Sequence, residues 1–290
     1  MLLKNLKSKV VMVTGANSGV GKVAARELAK TGATVVMLCR NKLRGEQARQ
    51  EIIQASGNPD VELLLCDLAS REQIRQAVSD FKTRHLQLDI LLNNAGFVAS
   101  GYSRSDDGLE MTMAVNHFGP FLLTNLLLDR LQAAKNARVV NVSSEANRFS
   151  GAGQEDIIYG KGYSNMKAYN FSKLANIMFT HEIAKRWASY GIVSSACHPG
   201  FVNSAFFSKF KGPTKVFLLL ARPFMVTSEE GAETPLYLCL SDAVGKINGK
   251  YFKNKKVATA NPDGFNDGYT TRLWQTSEEV TGLKQAPAEQ

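Results

Sequence analysis

Tyr169 and Lys173 stand four residues apart in the segment YNFSK. In a helix that spacing puts both side chains on one face, within reach of one ligand. A free phenol titrates near pKa 10 and is a poor base at neutral pH. A neighbouring ammonium favours the phenolate, and a phenol tuned in that way is a usable general acid or base. Such a pair is common on helix surfaces, so its weight depends on its company. Two hydroxyls supply some: Ser143 and Ser144 close the apolar run RVVNVSS. Ser144 is the first candidate to hydrogen-bond a substrate oxygen and steady charge developing there, with Ser143 its rival. Asn116, in a long helical stretch, is suited to hold a water that resupplies protons to Lys173. Its bland alternative is a helix-interior Asn satisfied by backbone.

A second constellation speaks for phosphate. Thr14–Lys22 reads TGANSGVGK, between an apolar run and a helical pattern. Gly15 permits a tight turn, Gly19 lets backbone approach a pyrophosphate, and Gly21 allows close helix–strand packing. Asn17, Ser18, Val20 and Lys22 complete the loop. The helix that opens there offers free N–H groups and positive partial charge to an anion. The end of the next apolar run normally carries an acidic residue for a ribose 2′-hydroxyl; here it reads Cys39-Arg40-Asn41. A guanidinium can pair bidentately with a 2′-phosphate, so NADP(H) is expected over NAD. Asp67 and Leu68 follow the third run and are expected at the adenine. In Asn93-Asn94-Ala95-Gly96, after the fourth, small residues would let backbone approach the cofactor while the asparagines fix the turn.

These groups need elements to place them. Strand-like runs at Val10–Thr14, Thr34–Cys39, Val61–Cys66, Ile90–Asn93, Arg138–Ser143 and Val193–Cys197, with a last strand at Gly249–Phe252, alternate with helical stretches. The helices are predicted up to Lys30, over Arg44–Ala55, Arg71–Arg84, Gly108–Ala134 with Pro120 as a kink, Tyr169–Tyr190 and Glu229–Leu240. The last follows a capping box in TSEE. Near-continuous apolar strands alternating with amphipathic helices predict an α/β Rossmann fold: a doubly wound, mostly parallel seven-stranded sheet with helices on both faces, in one domain over residues 1–290. Ligands of such a sheet sit at the carboxyl ends of the strands, where each motif above falls.

Composition narrows the classes. The net charge of +9 fits anionic cofactors, peripheral contact with an anionic membrane, or scattered solubilising charge. No zinc-finger or RNA-binding pattern accompanies it, so nucleic acid is not an expected partner. The four cysteines lack CxxC or zinc spacing and read as reduced core residues; no metal is expected. The opening MLLKNLKSKV has too short an apolar stretch for a signal peptide, and no apolar run is long enough for a membrane helix. A cytoplasmic location is expected.

Taken together, TGANSGVG, Asp67-Leu68, NNAG, Asn116, Ser144, Tyr169-x-x-x-Lys173 and His198-Pro199-Gly200 resemble the short-chain dehydrogenase/reductase family over nearly the whole chain. LCRN, RVVNVSSEAN, FSKLANIMFT and CHPGFVNS resemble its retinol-dehydrogenase-like branch, which includes WW-domain oxidoreductases. The resemblance implies a tetrad of Asn116, Ser144, Tyr169 and Lys173, and favours Ser144 over Ser143. It implies NADP(H) through Arg40, and a loop from His198 to Ser204 reaching the nicotinamide carboxamide, with Pro199, Gly200, Val202 and Ser204 in contact positions. Family members often dimerise through their long helices, so a homodimer is one expectation. The N-terminal membrane anchor of many retinol dehydrogenases and a preceding WW domain are not seen. The substrate class therefore stays broad: a retinoid-like, steroid or lipid-aldehyde carbonyl and its alcohol. An apolar lid around 203–227, with Phe206, Phe207, Phe210 and Phe217–Leu220 as lining candidates, is expected over that substrate. The same residues could instead pack as a core helix, or lie in a membrane surface with Lys209, Lys211, Lys215 and Arg222 at the headgroups. Outside the enzymes, the rival is an NADP(H)-binding scaffold or redox sensor with little turnover.

Overall fold

A computed structural model of the chain describes residues 5–151, 153, 160, 162–202 and 225–284. Its strands are β1 Val10–Thr14, β2 Thr34–Cys39, β3 Val61–Leu65, β4 Ile90–Asn93, β5 Arg138–Val142, β6 Val193–His198, β7 Lys250–Lys253 and β8 Lys256–Val257. They form one sheet in the order β3-β2-β1-β4-β5-β6-β7-β8. All neighbours are parallel except β7 and β8. The chain runs outward from β1 to β3, then returns to β4 on the other side, so the order reverses between β1 and β4. In an open α/β sheet the ligand crevice lies at that reversal.

Alternation along the strands explains the two covered faces. Val11, Val13, Val35 and Met37 belong to one buried cluster with Leu28, Ile52 and Leu238. Met12, Val36 and Leu38 belong to the other, with Ile74, Phe81, Phe121 and Trp274. The helices are α1 Gly19–Ala29, α2 Lys42–Ser56, α3 Arg71–Arg84, α4 Gly119–Leu126, α5 Leu128–Ala133, α6 Asn165–Arg186, α7 Ser228–Leu240 and α8 Asp267–Thr281. The capping box expected in TSEE is present: Thr227 Oγ1 accepts from the Glu230 N–H, and Glu230 accepts from the Thr227 N–H at 2.8 Å.

Three expectations are corrected. The sheet has eight strands rather than seven, because a two-residue β8 folds back on β7 through Asn254 and Lys255, both at positive φ; two exposed residues, Lys256 and Val257, are too few to show a strand period. The helix expected over Gly108–Ala134 is broken. A helical turn at Met111–Met113 passes into a π turn at Ala114–Phe118, then into α4 and α5. Pro120 has no N–H to continue the ladder, and Gly119 donates to Ala114 in the wider π pattern. Finally, α6 starts at Asn165, not Tyr169, because Ser164 caps it by accepting from the Lys167 N–H. The cofactor contact at Ser204 and most of the lid expected around 203–227 lie outside the described residues.

Candidate active site

The glycine turn is built against the end of β4. Thr14 Oγ1 accepts from the N–H groups of Asn94 and Ala95, both at 3.0 Å, and Asn94 Nδ2 donates to Thr14 O at 2.9 Å. Gly15 and Gly19 are at positive φ. A Cβ on Gly21 would strike Asn94 Nδ2 and the Gly15 carbonyl, so the turn closes only over a glycine there. Ser18 caps α1 without a side-chain hydrogen bond. The first-turn N–H groups and the helix dipole therefore remain for an anion such as a pyrophosphate. Asn17 and Val20 lie in the same turn, and Val20 meets α7 near Gly231. Lys22 does not add its charge to the loop: its ammonium is ion-paired with Glu51 on α2.

At the ends of β2 and β3, the Arg40 side chain is 68% exposed and lies 3.4 Å from an Asp67 oxygen. Asp67 also accepts from the Ala69 N–H at 2.9 Å. Leu68 is buried in the core. Its carbonyl lies so close to Gly119 that a Cβ there would collide with it, so Leu68 packs against the start of α4. Beyond β6, Gly200 is at positive φ against Val226, and Val202 is buried beside Gly231. Pro199 also borders Gly231 through its carbonyl.

On the other side of that reversal, α6 and the end of β5 bring candidate groups together. Ser144 hydrogen-bonds Tyr169 through their side chains. Lys173 Nζ lies 5.6 Å from the Tyr169 ring centroid and donates to the Val142 carbonyl at 3.1 Å. Gly96 packs its backbone beside that ammonium. Ser143, the rival hydroxyl, donates to the Lys173 carbonyl at 2.7 Å and is buried. The geometry therefore puts Ser144, not Ser143, against the phenol.

One reading changes here. The phenol was expected to have a lowered pKa; in the chain by itself, burial pushes Tyr169 up to about 12, opposed by its hydrogen bond with Ser144. Burial likewise lowers Lys173 to about 8, and its ammonium is directed to a carbonyl. Asn116, read in the sequence as a water-holding Asn or one satisfied by backbone, has its side chain engaged: Oδ1 accepts from Phe97 N at 2.8 Å, and Nδ2 donates to Phe97 O and to Ser172 Oγ, each at 2.9 Å. It locks the loop after β4 onto α6. The sequence reading missed Ser172, although it lies inside YNFSK; its hydroxyl donates to Tyr169 O at 2.7 Å, which leaves its oxygen to accept from Asn116.

An open parallel sheet whose crevice carries a glycine turn on one side and a phenol–ammonium pair on the other defines a nicotinamide-dependent dehydrogenase class. The family model for short chain dehydrogenases matches residues 9–213, and the chain belongs to that family of oxidoreductases. It is 42% identical to human retinol dehydrogenase 12 over 282 residues, covering 96% of this chain and 88% of that protein. It is 36% identical to mouse retinol dehydrogenase 14, covering 96% and 87%. A crystal structure of an uncharacterised protein from Mycobacterium paratuberculosis superposes with a TM-score of 0.78 at 31% identity, over 97% of this chain and 96% of that one. Within its family the chain is retinol-dehydrogenase-like. Among the described residues no helix is long and apolar enough to cross a membrane, and no cluster of His, Cys, Asp or Glu could hold a metal.

Proposed function

We propose that the chain is an NADP(H)-dependent oxidoreductase that interconverts a lipophilic alcohol and its aldehyde or ketone, with Tyr169 as the proton-transfer group. The observation that carries this reading is the hydrogen-bonded Ser144–Tyr169 pair beside Lys173. In the reducing direction the bound nicotinamide would deliver a hydride to the carbonyl carbon. Tyr169 then gives its O–H proton to the carbonyl oxygen, while Ser144 donates a hydrogen bond that steadies the charge gathering on that oxygen. Lys173 lies where its ammonium can favour the phenolate left behind. In oxidation the same groups act in reverse. Asn116 holds the Phe97 loop against this group and is assigned a positioning part.

The glycine turn with Gly15, Gly19 and Gly21 would seat the pyrophosphate, and Arg40 supports the choice of NADP. Its exposed guanidinium, only loosely paired with Asp67, has free donors for a 2′-phosphate. Asn94, Ala95 and Gly96 would flank the nicotinamide ribose, and Pro199 and Gly200 the carboxamide.

A lipophilic substrate is supported by two large exposed apolar side chains in the segments that carry the two hydroxyls. Phe149, in the turn that begins after Ser144, is 77% exposed; Met166, one helical turn before Tyr169, is 49% exposed. The retinol dehydrogenases among the relatives fit that chemistry. A thiol-based redox sensor is disfavoured, because burial pushes Cys39 up to about 11 and Cys66 and Cys239 up to about 12.

The test is a panel of apolar aldehydes, ketones and alcohols with NADPH, NADH and their oxidised forms. Turnover with NADPH at roughly tenfold or greater efficiency over NADH is expected, since a charged hydrogen bond contributes about 1.5–3 kcal/mol. Tyr169→Phe should lose about 10²–10⁴-fold in kcat while still binding NADPH. Cofactor binding without turnover of any substrate would leave the scaffold; NADH preference would remove Arg40 from its role.

A further inference from the structure

The hydroxyl that meets Tyr169 is carried on a segment that the sheet does not hold. The β5–β6 ladder ends at Val142 and Cys197, and one more bond, from Ser143 N to Cys197 O at 2.7 Å, closes it. The chain then turns into a short 3-10 helix, Glu145–Phe149, capped by Ser144. Such a turn has weak internal hydrogen bonds, and by itself would let Ser144 wander.

Its anchors come from about a hundred residues further along the chain. The Glu145 carboxylate accepts from the Tyr251 hydroxyl at 2.9 Å and from Lys253 Nζ at 3.0 Å, with Arg148 Nε at 3.5 Å. Tyr251 is 1% exposed and lies on β7, two strands from β5. Burial raises its pKa, so the phenol stays protonated and donates. Burial alone would raise the Glu145 pKa, but the hydrogen bonds from Lys253 and Tyr251, together with the charges of Lys253 and Arg148, hold the carboxyl below its ordinary range. A hydrogen bond to an ionised acceptor from a side chain locked in the core belongs to the strong class. A second anchor backs it: buried Asn147 donates to the Ser144 carbonyl and accepts from Asn261 N at 2.9 Å. Arg148 donates to Thr259 O at 2.7 Å. Tyr251, Lys253, Thr259 and Asn261 all lie beyond the family match, which ends at 213.

We infer that Glu145, tied by Tyr251 and Lys253 of β7, is a positioning residue that sets where the Ser144 hydroxyl sits relative to Tyr169. The inference rests on the reading that these two hydroxyls act on one C–O bond. Ser144 must stay in hydrogen-bond reach of the phenol while a substrate oxygen is seated between them. A displacement of about 1 Å at such a site costs on the order of a hundredfold in rate. The tie makes the far strand of the sheet part of the site's precision without touching substrate.

Three variants test it: Tyr251→Phe removes only the donor, Glu145→Ala removes the acceptor, and Glu145→Gln keeps an acceptor for Tyr251. Each is read by kcat and KM with NADPH and an apolar aldehyde, by NADPH affinity from nicotinamide fluorescence, and by amide hydrogen exchange. Tyr251→Phe and Glu145→Ala should lower kcat roughly ten- to a hundredfold with KM and NADPH affinity nearly unchanged. Exchange should quicken over Ser144–Ser150 while Gly15–Gly21 stays protected, and Glu145→Gln should recover most of the rate. Wild-type kcat in folded Tyr251→Phe and Glu145→Ala would overturn the inference, as would unaltered exchange over the Ser144 segment. If Tyr251→Phe fails to fold, Glu145→Ala, whose side chain is 29% exposed in the wild type, carries the same comparison. A wild type that turns over nothing, with the exchange changes still seen in the two variants, would refute the enzyme reading and leave the anchoring of Ser144 standing.

Discussion

Ser143 and Ser144 are chemically identical neighbours with different partners. Alternation along an extended chain sends one hydroxyl inward to the Lys173 carbonyl and the other outward to Tyr169. Ser144→Ala should therefore lower kcat about 10²–10³-fold with cofactor affinity kept, as removal of an oxyanion donor does. Ser143→Ala should instead cost about 1 kcal/mol of stability, the net worth of a buried hydrogen bond, and leave kcat nearly intact. Steady-state kinetics and thermal melts on the two variants separate the cases, and the reverse pattern would move the role to Ser143. The sequence could rank these two serines only by resemblance, because the helix carbonyl that engages Ser143 belongs to another element. The same limit hid Asn116: its residue type suggested a water site, whereas its partners, the Phe97 backbone and Ser172, come from a loop and from α6.

Among the elements, the glycine turn and α1 were legible because their demands are local. Gly21 is required by a collision with the Gly15 carbonyl and Asn94, which sit at the ends of neighbouring strands. Gly21→Ala should cost about 1–3 kcal/mol by overpacking and weaken NADPH binding. Gly57, an α2 cap at positive φ with open space around its Cα, should accept Ala at about 1 kcal/mol with cofactor binding unaltered. Denaturant midpoints and NADPH titrations of both variants check the contrast; equal losses of cofactor affinity would show that the turn does not need its bare glycine. The π turn at Ala114–Phe118 was not legible, since an apolar 3.6-residue period continues through it while Pro120 shifts the ladder.

At the scale of the molecule, burial of histidines ties stability to pH. His117 bonds Ser277 Oγ at 2.9 Å, and because that hydroxyl donates to the Leu273 carbonyl, the imidazole Nε2–H is the donor. Burial lowers His117 to about 3 and His198 to about 4, from an ordinary 6.5. Below pH 6.5 the unfolded chain therefore takes up protons that the folded chain does not. The stability tied to each imidazole is complete above 6.5 and falls as the pH drops toward the folded value. Between neutral pH and pH 5 the expected loss is about 2 kcal/mol for each histidine. Melting the wild type and His117→Asn across that window tests this; the variant should show about half the acid slope, and equal slopes would contradict the burial of a neutral His117.

What the amino-acid order determined by itself was everything carried by short spacing: the strand–helix alternation, the glycine turn, the Tyr169–Lys173 pair, the Arg40 at a strand end and, through them, the family. These follow from the periods of helix and strand and from the conformational freedom of glycine, which act within a few residues. What only the tertiary structure decided was which polar groups meet across long separations. Lys22 is paired with Glu51, Leu68 is buried under Gly119, and Glu145 is held by Tyr251. Hydrogen bonds and burial depend on distance in space, and the winding of the sheet brings β5 and β7 within reach of one another while more than a hundred residues of chain separate them.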